Sequence, residues 1–439
     1  MSRGLILAAP ASGSGKTTLT LALLRHLRLS GRRVASAKAG PDYIDPAFHA
    51  AASGKPCLNL EPWAMRAETI AALVAALEHE AELVLCEGAM GLFDGAGQGG
   101  EHGSTADLAA LTGWPVILIV DVAGQSGSAA ALLRGFAGHR ADVPVAGVIF
   151  NRVGGPRHAA MLANSVAAAL PHLPILGHVP READLALPER HLGLVQATEH
   201  PDLERFLDRA AELVGAALDV SAIIALARPS RLGSLPGATP LAPLGQRIAV
   251  ARDLAFAFAY PATLDGWRQA GAELLFFSPL ADEAPDGTAD AVILPGGYPE
   301  LHAGALAGRQ GFFRGLRDAA RRGAAVYGEC GGYMVLGEGL VDAAGARHAM
   351  AGLLPLETSF AARRRHLGYR RARLLASGPL GAAGSEFRGH EFHYATILGE
   401  GDGAALFAAS DADGAPLGTI GRARGKVQGS FLHLVDRAR

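Results

Sequence analysis

Two short stretches hold the residue types that chemistry requires, and they lie far apart in the chain. Near the start, PASGSGKTT sets Gly13 and Gly15 ahead of Lys16, Thr17 and Thr18, with Ser12 and Ser14 in the same turn. Glycines at that spacing let the backbone fold tightly, so that its N–H groups and a helix N-terminus face a phosphate. Lys16 would neutralise the β and γ phosphates of ATP, and Thr17 would offer its hydroxyl to Mg²⁺. The strict form of this loop has glycine where this chain has Pro10. Far downstream, YGECGGYMVLG puts Cys330 at the end of an apolar run and directly before Gly331 and Gly332. A strand turning sharply into a helix there would leave the sulfur exposed at a helix N-terminus, a setting that favours thiolate.

A lone cysteine is more often packed and inert, but this one has company. PGGYPE, residues 295 to 300, supplies Gly297, whose N–H together with that of Gly331 would form an oxyanion hole. His433 in SFLHL is the candidate base, distant in sequence as the imidazole of a Cys–His pair usually is. Around the phosphate loop, Glu87 closes ELVLCEG, and Asp42 and Asp45 lie in KAGPDYIDP. These are the hard oxygen ligands that Mg²⁺ takes. Lys38, at the head of the same loop, would meet the γ-phosphate from the opposite side, and Asn151, ending VAGVIFN, is placed to hydrogen-bond a base.

These groups need a scaffold that brings strand ends together. Short apolar runs, LILAAP, RVASAKAG, ELVLCEG, PVILIVD, VAGVIFN and PILGHVP, alternate with longer helix-like segments. Strands that are apolar on both faces and separated by helices predict a doubly wound, mainly parallel α/β sheet. Leu19, Leu23 and Leu27 recur at helical spacing after GKTT, which places that motif at a strand-to-helix turn. Such sheets bind ligands at the carboxyl ends of their strands, where the candidate carboxylates fall.

Residues 228 to 247, RPSRLGSLPGATPLAPLGQR, crowd Pro, Gly and Ser together without a periodic face, as an interdomain linker does. Alternation resumes in RIAVARD, ELLFFSP, AVILPGG and AAVYGEC, and the later runs GHEFHYATI and KVQGSFLHL lack helical spacers. The expectation is a P-loop domain over 1–228, a linker over 229–246 and a second α/β domain over 247–439 with late antiparallel strands.

Composition sets the outer limits. The chain has 439 residues, 49 % hydrophobic and 19 % charged, with 40 basic against 42 acidic side chains. Such a balance gives no global field to recruit nucleic acid or an anionic membrane, so an acidic ligand must be held locally. Cys57, Cys86 and Cys330 show no CxxC spacing, which points away from a disulfide framework or a zinc site and toward a reducing cytoplasm. The apolar stretch at the N-terminus runs straight into GSGKTT and reads as a strand rather than a signal peptide. No run approaches the ~20 apolar residues of a membrane helix.

The order PGGYPE, GECGGYM, GHEFHYA, SFLHL resembles the class I glutamine amidotransferase domain. SGSGKTT, KAGPDYIDP, CEGAMGLFDG and LPERHLGL resemble the cobyrinic or hydrogenobyrinic acid a,c-diamide synthases, whose nucleotide domain is similar to dethiobiotin synthetase. The resemblance spans nearly the whole chain with its motifs in order. It implies an ATP-dependent ligase in which Cys330 attacks the amide of L-glutamine, His433 shuttles the proton, and the ammonia released displaces phosphate from a phosphorylated acetate of a corrinoid. Asp94 in GLFDG matches a family position near substrate and nucleotide, and Asp42, Tyr43 and Ile44 match one that influences which acetate is presented. Mg²⁺ falls to Thr17, Glu87 and either Asp42 or Asp45. A homodimer is compatible with the resemblance.

One departure is visible. Many class I glutaminases carry Glu two residues after the catalytic His, where this chain has Val435, so a Cys/His dyad is expected. His390, Glu391 and His393 of GHEFHYA either position substrate or brace the sheet. The arginine-rich RRRHLGYRRAR, residues 363 to 373, would suit a polycarboxylate or form a solvated strand face. A partitioning-type ATPase switch shares the SGxGKTT loop but has a signature Lys where this chain has Ala11, and it lacks a glutaminase domain. Cobyric acid synthase and nickel-sirohydrochlorin a,c-diamide synthase are the nearer alternatives, and the sequence leaves open whether the macrocycle carries cobalt.

Overall fold

A computed structural model describes residues 2–182, 189–190, 193–194, 196–233 and 239–438. Half of LPERHLGL and the middle of the Pro/Gly-rich segment lie outside the described residues. Contacts divide the chain into two compact units, one of residues 1–63 and 67–236, the other of 64–66 and 237–439.

The first unit is built on seven parallel strands: β1 (Arg3–Ala8), β2 (Val34–Ala39), β3 (Leu58–Leu60), β4 (Leu83–Glu87), β5 (Val116–Asp121), β6 (Val145–Val153) and β7 (Ile175–Pro180). Their order is β3-β2-β4-β1-β5-β6-β7, so β1 is central. The apolar runs read from the sequence form six of these strands. β3 has only three residues, LNL, and no run long enough to announce it. The strand residues Leu5, Ile6, Leu7, Val84, Leu85, Ile117 and Leu118 are at most 1 % exposed, as expected for a sheet covered on both faces.

Helix α1 (Lys16–Leu29) follows β1 through the glycine loop. Its Leu19, Leu23 and Leu27 are 3 %, 1 % and 1 % exposed, and burying each stabilises the unit by about 2 kcal/mol. Helix α2 (Asp45–Ser53) follows β2; Asp42 Oδ1 accepts the N–H groups of Ile44 and Asp45 at 2.7 and 3.0 Å and closes its first turn. Parallel register sets Lys38 of β2 beside Glu87 of β4, Leu7 of β1 beside Glu87, and Asp121 of β5 beside Asn151 of β6. The carboxyl ends of the central strands therefore share one edge.

The second unit carries a ten-stranded sheet. Strands 273–277, 247–251, 291–294, 325–329 and 427–430 run parallel in that order. Strands 416–424, 404–410, 366–374, 386–393 and 432–437 then continue the sheet antiparallel, matching the expected late antiparallel strands. Only Phe431 separates strand Val427–Ser430 from strand Leu432–Arg437, yet the two stand at the fifth and tenth positions. One residue spans at most ~3.6 Å, so the antiparallel half must curl back on itself. That curl returns residue 433 to the end of strand Ala325–Glu329, which is followed by Cys330.

Candidate active sites

In the first unit the loop before α1 adopts a phosphate-cradle shape. Gly13 and Gly15 have φ of 77° and 88°, the left-handed region that favours glycine. A Cβ at Gly15 would lie 2.3 Å from Asn151 Nδ2, so side-chain bulk is excluded there as well. Asn151 Nδ2 donates to the Ser14 carbonyl at 2.9 Å. Its amide N–H braces the loop. Lys16 Nζ donates to the carbonyls of Met90 at 2.6 Å and Ala11 at 3.3 Å, and burial lowers its pKa. Asp94 Oδ2 accepts the Gly91 N–H at 2.8 Å, fixing the turn that holds Met90 at φ 48°.

Glu87 is the hub of a buried polar cluster. Its Oε1 accepts from Thr17 Oγ1 at 2.6 Å and from Lys38 Nζ at 2.7 Å, and its Oε2 lies 2.6 Å from His49 Nε2. Lys38 also donates to Asp45 Oδ2 at 2.6 Å. Burial alone would raise Glu87, but Lys38 and His49 outweigh it and hold the carboxyl well below its ordinary pKa. Burial and the neighbouring Asp42 push Asp45 up to about 6. Burial opposes charge on His49, yet Cys57 and Glu87 on either side raise it to about 10. Lys38, read from sequence as a γ-phosphate contact, is committed here to two carboxylates, and Asp42 to the first turn of α2.

Thr17 meets Glu87 directly and Asp45 joins the same cluster through Lys38, so the oxygen donors of the type Mg²⁺ takes are gathered around one carboxylate. His49 escaped the sequence reading. The signal available was its position four residues after Asp45 on α2, which puts both on one helical face.

In the second unit Cys330 sits at φ 48°, ψ −105°, a strained elbow between strand Ala325–Glu329 and helix Gly331–Leu336. Such a backbone costs on the order of 1–3 kcal/mol, and strain of this kind clusters at reactive sites. The expected exposure of the sulfur is corrected: Cys330 is 3 % exposed, with Sγ 3.9 Å from the Phe392 carbonyl. The curled sheet covers it, and burial, reinforced by Glu300, raises its pKa rather than favouring thiolate.

Gly296 lies against both Cys330 and His433. A Cβ built there would lie 2.4 Å from His433 Cε1, 3.3 Å from Nε2 and 3.4 Å from Cys330 Cβ. The Gly297 nitrogen lies 3.1 Å from where a Cβ on Gly331 would be, so the two predicted oxyanion donors are neighbours. Burial, then His390 and His393, hold His433 well below its usual pKa, which keeps the imidazole neutral and able to accept a proton. Thiol, neutral base and paired backbone donors are the parts of a nucleophilic amide hydrolase.

A family profile described as the CobQ/CobB/MinD/ParA nucleotide binding domain matches residues 5–195, and one described as the CobB/CobQ-like glutamine amidotransferase domain matches 247–439. Relatives named hydrogenobyrinate a,c-diamide synthase align end to end. Those of Rhizobium meliloti (strain 1021) and Brucella abortus biovar 1 are 56 % identical over 99 % of this chain and 99 % and 98 % of their own lengths. That of Rhodobacter capsulatus is 54 % identical over 99 % of this chain and 98 % of its own. The chain belongs to the hydrogenobyrinate a,c-diamide synthase family.

GHEFHYA begins in the strand Glu386–His393, which pairs with the strand of His433. His390 stands in register with His433 across adjacent strands. Glu391 Oε2 accepts from Arg370 at 2.7 Å, and its Oε1 lies 3.0 Å from His393 Nε2; against the effect of burial these partners lower it to about 2. His393 stacks on Phe431 at 3.8 Å and on His366 at 4.6 Å. Of the arginine-rich stretch, Arg363, Arg364 and Arg365 are exposed while Arg370 is engaged by Glu391. Among the described residues no helix is long and apolar enough to cross a membrane.

Proposed function

We propose that this chain amidates the a and c acetate carboxylates of hydrogenobyrinic acid, driven by ATP with L-glutamine as nitrogen donor. End-to-end identity of 56 % to relatives of that name supports the reading most strongly. Their shared name favours the cobalt-free macrocycle over cobyrinic acid. The first unit is the ligase and the second the glutaminase.

In the ligase, Lys16 and the loop N–H groups of residues 13–18 hold the β and γ phosphates. On the family resemblance the turn braced by Asp94 and the segment Asp42, Tyr43, Ile44 are assigned to the macrocycle, Asp42 and Asp94 shaping those segments through the backbone they hold. Thr17, Glu87 and Asp45 would hold Mg²⁺, which when bound draws charge from the transferring phosphoryl oxygens. An acetate oxygen attacks the γ-phosphorus, ADP departs, and a carboxylate inert to ammonia becomes an acyl phosphate with a good leaving group. In the glutaminase, Cys330 gives its proton to His433 as the sulfur attacks the amide carbon of glutamine. The Gly297 and Gly331 N–H groups hold the oxyanion, and His433 returns the proton to the departing nitrogen. Ammonia leaves, water cleaves the thioester to glutamate, and ammonia displaces phosphate from the acyl phosphate.

The test is to supply hydrogenobyrinic acid or cobyrinic acid, in parallel, with ATP, Mg²⁺ and glutamine, and to weigh the products. Conversion of hydrogenobyrinic acid to a diamide, with one ADP and one glutamate per amide, is expected. Amidation of cobyrinic acid in clear preference, or a reaction that stops at one amide, would overturn the assignment.

A further inference from the structure

The histidine of a Cys–His hydrolase needs its tautomer fixed, because only an imidazole protonated at the far nitrogen presents a lone pair to the thiol. Two residues past His433 stands Val435, which offers no polar atom for that purpose. A carboxyl reaches the ring from elsewhere. Glu329 Oε2 lies 3.8 Å from His433 Nδ1, and the Glu329 side chain is only 15 % exposed.

The ring's orientation decides what this carboxyl can do. A Cβ at Gly296 would lie 3.3 Å from His433 Nε2 and 3.4 Å from Cys330 Cβ, so Nε2 shares the Gly296 side with the nucleophile's residue, while Nδ1 is the nitrogen 3.8 Å from Glu329. Glu329 is itself anchored: its Oε1 accepts the Leu434 N–H at 3.2 Å, and Leu434 adjoins His433 in the same strand. The parallel register Glu329↔Ser430 and the 2.8 Å bond from the Cys330 N–H to the Ser430 carbonyl tie the elbow to the strand that leads to His433. One dipeptide, Glu329-Cys330, therefore brings both the nucleophile's residue and a carboxyl to the imidazole, the carboxyl on its Nδ1 side.

We propose that Glu329 is a positioning residue of the glutaminase. Its Oε2 accepts the Nδ1–H of His433, leaves the Nε2 lone pair for the Cys330 proton, and steadies the imidazolium formed during attack. A separation of 3.8 Å closes to a hydrogen bond with a small side-chain rotation, and such catalytic contacts commonly tighten when substrate binds. Burial pushes the Glu329 carboxyl up to about 8, and even a protonated carboxyl keeps an oxygen able to accept the Nδ1–H. The proposal rests on the glutaminase reading of the second unit and adds to it a third member drawn from the nucleophile's own strand.

Glutamine hydrolysis by the full-length protein tests it, with Cys330→Ser as the reference. Glu329→Leu removes the acceptor and Glu329→Gln keeps one oxygen in nearly the same shape. The expected result is a fall in kcat of at least about tenfold for Glu329→Leu with KM for glutamine within about twofold, a displaced imidazole limb in its pH–rate profile, and partial recovery in Glu329→Gln. Equal losses in both variants with the parent pH profile would assign Glu329 a packing role and overturn the proposal, as would wild-type kcat in Glu329→Leu. Persistence of hydrolysis in Cys330→Ser would instead remove the glutaminase reading on which it stands.

Discussion

Glu329 ties proton linkage to the glutaminase residue by residue. Its carboxyl sits near pKa 8 because burial penalises charge, while the Leu434 N–H and the Tyr327 hydroxyl only partly offset that penalty; His433 is the titratable ring beside it. An unfolded glutamate titrates near 4.3. Between those values the folded state binds the extra proton, so the group's effect is absent below the unfolded pKa and becomes a growing destabilisation as pH rises through about 8. Denaturant titrations at about pH 5 and about pH 9 should therefore show wild type losing more stability than Glu329→Gln, by on the order of a few kcal/mol. Parallel losses in the two proteins would contradict the linkage. Cys330, Lys16 and Glu87 could be singled out from the sequence because each ends an apolar run beside glycines or a phosphate-loop pattern. Glu329 could not, since it acts through a partner that only the folded chain brings near, His433, 104 residues on; His49 shows only the i, i+4 spacing from Asp45 on α2, which does not reveal its partner Glu87 on another strand.

Periodicity made most of the strands and helices legible. Apolar runs separated by helical segments specify a parallel sheet, and a glycine loop after β1 specifies where α1 begins. The three-residue β3 and the return of the antiparallel strands onto the nucleophile's strand have no local signature, because pairing partners are chosen by register across long separations. That return is why the sulfur is buried although an elbow had suggested exposure. The phosphate loop offers a sharp test at this scale. Gly15→Ala would place a Cβ 2.3 Å from Asn151 Nδ2 at a residue with φ of 88°. ATP affinity measured by calorimetry should fall by at least about tenfold, with the melting temperature lowered as strain of a few kcal/mol enters the loop. Unchanged affinity would mean that the loop does not hold the nucleotide in this shape. In the second unit, a Cβ at Gly297 would lie 2.1 Å from the Ala255 carbonyl. Gly297→Ala should accordingly lower glutamine hydrolysis at least about tenfold by displacing one oxyanion donor, and full retention of hydrolysis would argue that this N–H is not one.

At the scale of the whole molecule, two α/β units with unrelated chemistries are encoded in one polypeptide, one able to activate a carboxylate and the other able to free nitrogen from an amide. Family membership was legible from the order of motifs along the chain, because that order reflects which strand ends carry polar groups. Which of the cobalt-free and cobalt-bearing macrocycles the chain takes was not, since no single residue announces it. The two chemistries separate by nitrogen source. With ¹⁵N-labelled glutamine or ¹⁵N-labelled ammonium as alternative donors, product amide is weighed for wild type, Cys330→Ser and Lys16→Ala. Label from glutamine should vanish from the product of Cys330→Ser while label from ammonium persists, and Lys16→Ala should make amide from neither. Amide formation by Lys16→Ala, or glutamine-derived label in the product of Cys330→Ser, would contradict the division of labour proposed for this chain.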